Sequence, residues 1–367
     1  LERIGFAPLT SFERGAKALE HWLSKGYHGD MKYMADHPFR HDPAQLLPNA
    51  KTIISVAMSY AGYAHDDQGR TRLHGRIAHY AQGRDYHRVL KAKLYALGKQ
   101  IQKLTEHQIH VRPCVDTAPL LEHEAAALAG VGFIAKSTLT LIPGLGTYVV
   151  LGELLIDVEL PPSEPIEPRC GECKACLDAC PTNAFIAANI LDARKCISYL
   201  TIEYDGIIPR EIRPKLSNMI FGCDICQQVC PYNTAPQPRP AASEFKPFER
   251  FSNPALADIL LQGSAAHKRF VHDSALRRAS RKKLARNAAI ALGNSSDTRA
   301  VGPLIEGLNV HNDPIVRGHI AWALGELGGK RARQSLAELE KEEQNTFVLE
   351  EITHALNRHA QRDATSS

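Results

Sequence analysis

The sequence predicts a chain of three parts: an α/β layer domain, a cysteine-rich metal-binding module and a C-terminal α-helical array of repeats. Three observations predict it. Strand-like runs alternate with helix-periodic ones up to about residue 160, eight of the nine cysteines fall between residues 170 and 230, and an Ala-Leu-Gly signature recurs near the C-terminus. The expected boundaries are 1–162, 163–240 and 241–367.

In the first part, residues 52–59 (TIISVAMS) form a β-rich apolar run after the turn-forming Pro48-Asn49. Residues 84–106 carry helical periodicity, with Val89, Leu90, Leu94, Leu97, Ile101 and Leu104 on one face. Residues 109–115 read as a strand, 118–129 as a helix and 147–160 as a strand. Strands separated by helices of this length imply layers of helix on sheet. Pro161, Pro162, Pro165 and Pro168 then lead into the cysteine-rich segment, and a second proline-rich stretch, residues 231–240, closes it.

Bulk properties narrow the function classes. The 367 residues are 44% hydrophobic and 23% charged, ordinary for a globular chain with several cores. A net charge of +4 does not by itself announce a nucleic-acid partner, so any such partner needs a local patch. No apolar run approaches the ~20 residues of a spanning helix; the longest, residues 148–160, is interrupted by Gly152, Glu153, Asp157 and Glu159. Nothing near Leu1 resembles a signal peptide. A cytoplasmic monomer without a membrane partner is expected.

The C-terminal repeat has a fixed offset. Ala291-Leu292-Gly293 recurs as Ala323-Leu324-Gly325, and Ala355-Leu356 follows, each 32 residues on. Arg299-Ala300 matches Arg331-Ala332, Leu304 matches Leu336, and Asp313-Pro314 matches Asn345-Thr346 at the same offset. Helices stacked at one period bury a continuous core and leave a face for a partner, which reads as a short HEAT-like array.

The cysteines carry the chemistry. Tight clustering with short gaps reads as metal binding in a reducing compartment rather than as a disulfide scaffold. Cys170, Cys173, Cys176 and Cys180-Pro181 spell C-x2-C-x2-C-x3-C-P, the bacterial-ferredoxin run whose fourth cysteine serves the other cluster. Cys223, Cys226 and Cys230-Pro231 form the second half, and Cys196 replaces its missing first cysteine. Exchanging the fourth ligands assigns one [4Fe–4S] cluster to Cys170, Cys173, Cys176 and Cys230, and a second to Cys180, Cys196, Cys223 and Cys226. Zinc also takes paired C-x2-C motifs, but it requires neither the Cys-Pro closing both halves nor this nested order of eight ligands. Cys114 stands apart. Two clusters in series make an electron conduit.

Several segments together resemble the epoxyqueuosine reductase family: residues 80–87 (YAQGRDYH), 114–122 (CVDTAPLLE), 130–139 (GVGFIAKSTL), 151–155 (LGELL), 194–203 (RKCISYLTIE) and 221–226 (FGCDIC). The likeness runs from about residue 20 through the repeats. It implies an α/β cobalamin-binding domain, a tRNA substrate and reduction of the epoxide of epoxyqueuosine to queuosine, with electrons relayed through the clusters to cobalamin from a donor the sequence does not identify. It makes Asp116 the proton donor, although Asp116 or Thr117 also suits the cap of a helix through Ala129. Cobalamin contacts are expected from Asp116, Lys136, Ser137, Gly152, Glu153, Ser198 and Asp224. His87 is not assigned as a cobalt ligand, because Asp85-Tyr86-His87-Arg88-Val89-Leu90 lacks the glycine of the D-x-H-x-x-G ligand motif.

A basic segment, Lys268, Arg269, Arg277, Arg278, Arg281, Lys282, Lys283 and Arg286, has Asp273 as its acidic neighbour. On a helix, Arg278, Lys282 and Arg286 share a face with Arg281 beside them. Such a stripe suits phosphates, so Arg277, Arg278, Arg281, Lys282 and Arg286 are the expected tRNA contacts, though charge runs also serve as solvated faces. Two other functions fit the motifs: a cobalamin reductase of the reductive-dehalogenase kind, and a non-catalytic electron-transfer subunit with a docking solenoid.

Overall fold

A computed structural model of the chain describes residues 1–63, 71–234 and 241–365; part of the second proline-rich stretch, residues 235–240, lies outside them. The chain divides into two interleaved compact units. The first comprises Leu1–Asp66, His79–Cys196 and Asp224–Pro247, the second Asp67–Ala78, Ile197–Cys223 and Phe248–Ser367. Residues 197–223 of the cysteine-rich segment thus fold with the repeats, and the remainder folds with the sheet.

The first unit is built on four strands, β1 (Arg3–Pro8), β2 (Thr52–Ser59), β3 (Val111–Cys114) and β4 (Val149–Ile156), in the order β1-β2-β4-β3. Every pairing is antiparallel. Three helices accompany it: α1 (Glu13–Ser24), α2 (Tyr86–Leu104) and α3 (Glu122–Leu128). All eight residues of β2 are buried, so both faces are covered, as its largely apolar run requires. Alternation then sorts the side chains. Ile54, Val56 and Met58 pack with Leu90 and Leu94 of α2, while Ile53 and Ala57 pack with Ala125 and Ala126 of α3.

The layers follow the sequence expectation, with differences at the edges. Strand β2 matches its expected bounds, whereas α3 starts at Glu122 rather than at residue 118. Leu104, expected on the apolar face of α2, is 86% exposed, because the helix ends there and runs past the sheet. Strand β1 and helix α1 had no counterpart in the sequence reading; α1 buries no residue fully.

In the second unit, helices α4 (Arg281–Asn294), α5 (Val301–Val310), α6 (Pro314–Leu327), α7 (Lys330–Glu342) and α8 (Thr346–Thr365) form the repeat array, with α4, α6 and α8 packed in succession. The repeated glycine explains the spacing. A Cβ on Gly293 would lie 2.9 Å from the Cα of Ala323, and one on Gly325 would lie 2.6 Å from the Cβ of Ala355. Each glycine lets one helix approach the alanine of the next repeat.

A polar position repeats at the same interval. Asn287, His319 and Glu351 are buried on α4, α6 and α8, each 32 residues after the last. All three hold residues 197–223. Asn287 Nδ2 donates to the carbonyls of Thr201 and Ile220, both at 2.9 Å. His319 Nε2 accepts from the Ile208 amide at 3.3 Å. Glu351 accepts two bonds from Arg213, at 2.8 and 2.9 Å. Asn287 and His319 thereby satisfy peptide groups, and Glu351 a buried guanidinium, away from water, which burial demands.

Helix propensity alone would make Gly325→Ala stabilising by about 1 kcal/mol. The close approach reverses that sign, so Gly325→Ala should destabilise the array by about 1–3 kcal/mol, read from urea unfolding followed by far-ultraviolet circular dichroism.

Candidate active site and cluster ligands

Asp116 follows the end of β3 with φ +45°, the left-handed region that costs a non-glycine residue and clusters at functional sites. It is not a helix cap: Leu121 precedes α3 and the helix end receives no side-chain cap, which sets aside the capping role. Neighbours hold its conformation. The Asp116 amide donates to Glu122 Oε2 at 3.0 Å, and its carboxylate Oδ2 lies 2.9 Å from His87 Nε2. The Tyr86 hydroxyl also bonds to Asp116, and the Tyr86 ring stacks on His87 at 4.0 Å.

His87 is fixed from its other side. Asp85 caps α2 by accepting from the His87 amide at 3.1 Å, and its Oδ1 lies 2.7 Å from His87 Nδ1. Although burial opposes the charged ring, the hydrogen bonds to Asp116 and Asp85 outweigh it and push the imidazole up to about 9. Both ring nitrogens are engaged with carboxylates, so His87 has none to offer cobalt. Burial, with the nearby Asp116 charge, pushes Glu122 up to about 7. Burial likewise raises the Tyr86 hydroxyl. The Asp116 side chain is 47% exposed amid this array, open on one side and anchored on the other. Sequence reasoning missed His87, Tyr86 and Glu122 as parts of the site; the cap-like Asp85 two residues before His87 was the available signal.

The cysteine segment folds into two matching halves. Short helices Ala175–Asp178 and Ile225–Gln228 pack together, and each leads into Cys-Pro-x-Asn. The Asn183 amide returns to the Cys180 carbonyl at 3.1 Å, and the Asn233 amide to that of Cys230 at 2.8 Å. Among the thiols, Cys230 is close enough to Cys170 and Cys173, and Cys176 to all three, for their charges to interact. The spacing assigns the same four cysteines to one cluster. Burial, then the neighbouring sulfurs, push Cys176 and Cys230 up. Gathered thiolates of this kind fit a cationic iron–sulfur core, which relieves their repulsion. Phe133, Ala135 and Leu141 give Cys170 and Cys230 an apolar wall. Cys114 is 1% exposed and pushed up to about 12 chiefly by burial, an inert core thiol.

The expected cobalamin contacts meet a different outcome. Gly152 faces α2, where a Cβ would lie 3.1 Å from Leu94, and Glu153 is 0% exposed with Oε1 accepting from Ser55 at 3.1 Å. Both are core positions of β4, because the strand is covered on both faces, and the expectation of direct contact is corrected. Asp224 is also corrected: it is buried, with Oδ2 accepting from the His79 amide at 2.8 Å and Oδ1 from Gln227 at 3.1 Å. Lys136 Nζ donates to the carbonyls of Gly171 at 2.5 Å and Cys173 at 3.0 Å, which commits it to the cysteine loop. Ser137 is buried and Ser198 half-buried. Of the named set, Asp116 alone presents an open carboxylate.

The basic stripe is also corrected. Arg278 ends a 3-10 turn, Ala275–Arg278, before α4 starts, so it shares no helix face with Lys282 and Arg286. Arg286 is 1% exposed and donates to the carbonyls of Tyr204, Gly206 and Leu200 at 2.8, 2.8 and 2.6 Å. It anchors residues 197–223 and is no phosphate ligand. Buried Lys283 does the same at the Ile202 carbonyl, 2.8 Å away. Arg277 and Arg278 are exposed, Arg278 bonded to Glu203; Lys282 is partly exposed and paired with Asp313 at 3.3 Å; Arg281 is partly buried.

Crossed thiols and a clamped carboxyl carried in one unit define the class: an iron–sulfur oxidoreductase with an acid–histidine site. Comparison with known proteins narrows it. Residues 40–117 match the family described as Epoxyqueuosine reductase QueG, DUF1730, residues 169–233 the 4Fe-4S double cluster binding domain, and residues 274–357 HEAT repeats. The chain is 40% identical to the epoxyqueuosine reductase of Salmonella typhimurium over 88% of its own length and 84% of that protein's. It superposes on an epoxyqueuosine reductase solved with an epoxyqueuosine-modified tRNA-Tyr stem loop at a TM-score of 0.90 and 32% identity, covering 98% of this chain and 95% of that one. A Bacillus subtilis epoxyqueuosine reductase, with its catalytic loop swung out of the active site, superposes at 0.88 with 32% identity and the same coverage. The chain belongs to the epoxyqueuosine reductase family.

Two outcomes follow from this geometry. His87 and Glu122 are both raised above their ordinary values, so at these two sites the folded state holds more protons than the unfolded one across about pH 4.5 to 9. The His87 stabilisation is complete below pH 6.5 and is lost as pH rises through 9; the Glu122 cost is absent below 4.5 and grows up to 7. Burial lowers His123, His267, His311, His319 and His354, which opposes this slope in the acid part of the window, so the effect is read by difference. The thermal midpoint of wild type relative to Glu122→Gln should fall between about pH 4.5 and 7, and relative to His87→Gln between about pH 6.5 and 9. Separately, Arg286→Ala should cost about 3 kcal/mol or more through unsatisfied buried carbonyls, whereas Arg277→Ala should stay within about 0.5 kcal/mol, both measured by urea unfolding.

Proposed function

We propose that the chain reduces the epoxide of epoxyqueuosine in tRNA to queuosine, as an iron–sulfur oxidoreductase that also uses cobalamin. The observation that carries this reading is the whole-chain likeness to an epoxyqueuosine reductase solved with a modified tRNA stem loop. Family membership selects it over the dehalogenase-like and non-catalytic alternatives. A tRNA substrate puts the reaction in the cytoplasm.

The two [4Fe–4S] clusters take Cys170, Cys173, Cys176 and Cys230, and Cys180, Cys196, Cys223 and Cys226. The mutual charge interactions of the first four thiols support the first set. Lys136, donating to the carbonyls of Gly171 and Cys173, holds the first loop and places a positive charge near its sulfurs, which favours the reduced cluster. Cobalamin, when bound, supplies the reductive chemistry at carbon.

Loss of the epoxide oxygen as water consumes two electrons and two protons. Asp116 is the residue placed to protonate that oxygen: its carboxyl is half exposed, and its backbone is held by Glu122. Arg277, Arg278, Arg281 and Lys282 remain as tRNA phosphate contacts from the expected stripe, supported by the exposure of Arg277 and Arg278 and the partial exposure of Arg281 and Lys282.

Anaerobic incubation with cobalamin, a reductant and epoxyqueuosine-bearing tRNA, followed by nucleoside mass spectrometry, should show loss of one oxygen from the modified base. An unchanged base with both clusters reduced counts against the reading. Asp116→Asn should abolish turnover while retaining the iron of both clusters. Replacing Arg277, Arg278 and Lys282 by glutamine should weaken tRNA binding and make the log–log salt slope shallower by roughly 2–3, measured by filter binding between 50 and 200 mM salt.

A further inference from the structure

One carboxyl supplies one proton, yet removal of the epoxide oxygen as water takes two. The first goes to oxygen as the ring opens; the second goes to the same oxygen as it leaves, while two electrons arrive from the external reductant through the clusters. After the first transfer Asp116 is a carboxylate and must be reloaded in place. The groups around it narrow the source. Glu122 Oε2 accepts the Asp116 backbone amide, so its bond fixes the loop without reaching the carboxylate. The Tyr86 hydroxyl bonds to Asp116, but burial raises it well above the ordinary phenol value and so above the His87 imidazolium at about 9, the easier proton to give up. Arg40, whose charge is felt at Asp116, turns its guanidinium Nη2 to the Tyr33 carbonyl at 2.8 Å. His87 Nε2 faces Asp116 Oδ2 at 2.9 Å.

We propose that His87 is the positioning residue that reloads Asp116 between the two protonations. This rests on the reading of Asp116 as the proton donor. In the imidazolium form, Nε2–H donates to Asp116 Oδ2 and Nδ1–H to Asp85 Oδ1, 2.7 Å away. When Asp116 has given its proton to the oxygen, the Nε2–H bond breaks, an O–H bond forms at Oδ2, and a neutral ring is left. Asp85 retains the Nδ1–H, which fixes the tautomer and leaves the Nε2 lone pair directed at Asp116 for recharging from solvent. Side chains facing the ring are Asp85, the stacked Tyr86, Asp116 and, through its charge, Glu122. Burial pushes the Tyr86 hydroxyl up, and the ring itself, at about 9, stays charged at neutral pH.

The test is the pH profile of deoxygenation by cobalamin-loaded, cluster-replete enzyme under single turnover. Wild type should hold its rate up to about pH 9, where His87 discharges. His87→Gln keeps a hydrogen-bond donor beside Asp116 but carries no titrating proton. Its rate at neutral pH should fall about 10²–10³-fold and its alkaline limb should move down by at least about one pH unit, with KM for tRNA within about twofold and with iron content and visible absorption unchanged. Asp85→Asn keeps the helix cap and should move the limb the same way by less. An alkaline limb that stays near pH 9 in His87→Gln, or a change confined to KM, overturns the proposal. Asp116→Asn separates the two readings: full activity there removes Asp116 as donor, whereas an inactive Asp116→Asn beside an unshifted His87→Gln profile removes His87 alone.

Discussion

Irregular backbone has to find hydrogen-bond partners once it is buried, and this constraint organises both units. The cysteine-bearing stretches hold only short helices, turns and strands, so side chains have to complete much of the backbone bonding around them. In the second unit, Arg286, Asn287 and His319 perform that task from the inner helices, while Glu351 holds the Arg213 guanidinium. In the first, the cysteine-bearing stretch serves backbone in turn: Asn233 donates to the Gln227 carbonyl and accepts from the Thr147 amide, and Asp224 takes up the His79 amide. Removing such a side chain leaves several peptide groups without partners at once, so its effect reaches well beyond one bond.

The same constraint marks what the sequence reveals. Strand β2 was legible because a β-favouring run, apolar at five of its eight positions, cannot be solvent-facing, and the cysteine module because its spacing spells the ferredoxin motif. Antiparallel pairing was not legible, since the local pattern of Thr52–Ser59 is the same for either strand direction. The repeat period was visible as Ala-Leu-Gly, yet the polar positions at the same interval escaped notice, because Asn287, His319 and Glu351 differ in type and share only their location.

Charge was the least legible property. A buried arginine reads like an exposed one in sequence, so Arg286 and Arg278 looked equivalent although one is enclosed and the other open. Glu153 and Asp224, attractive as polar contacts in family-like segments, are spent on the fold itself. His87 was passed over because attention fell on whether it binds cobalt. Its place in the chemistry depends on Asp116, 29 residues away in sequence, which local inspection does not bring together.

The interval of 32 residues shared by Asn287, His319 and Glu351 makes the solenoid a sorted receptacle. Its apolar seams are nearly interchangeable from one repeat to the next, so excising a repeat would let the remaining helices close up. Each rung would then offer the wrong chemistry to the strap it grips: an amide where a carboxylate is wanted, or an imidazole where a double donor is wanted. Length and order of the array are therefore fixed by the segment it clasps, and such a tail would not tolerate the repeat gain and loss that open-ended solenoids permit.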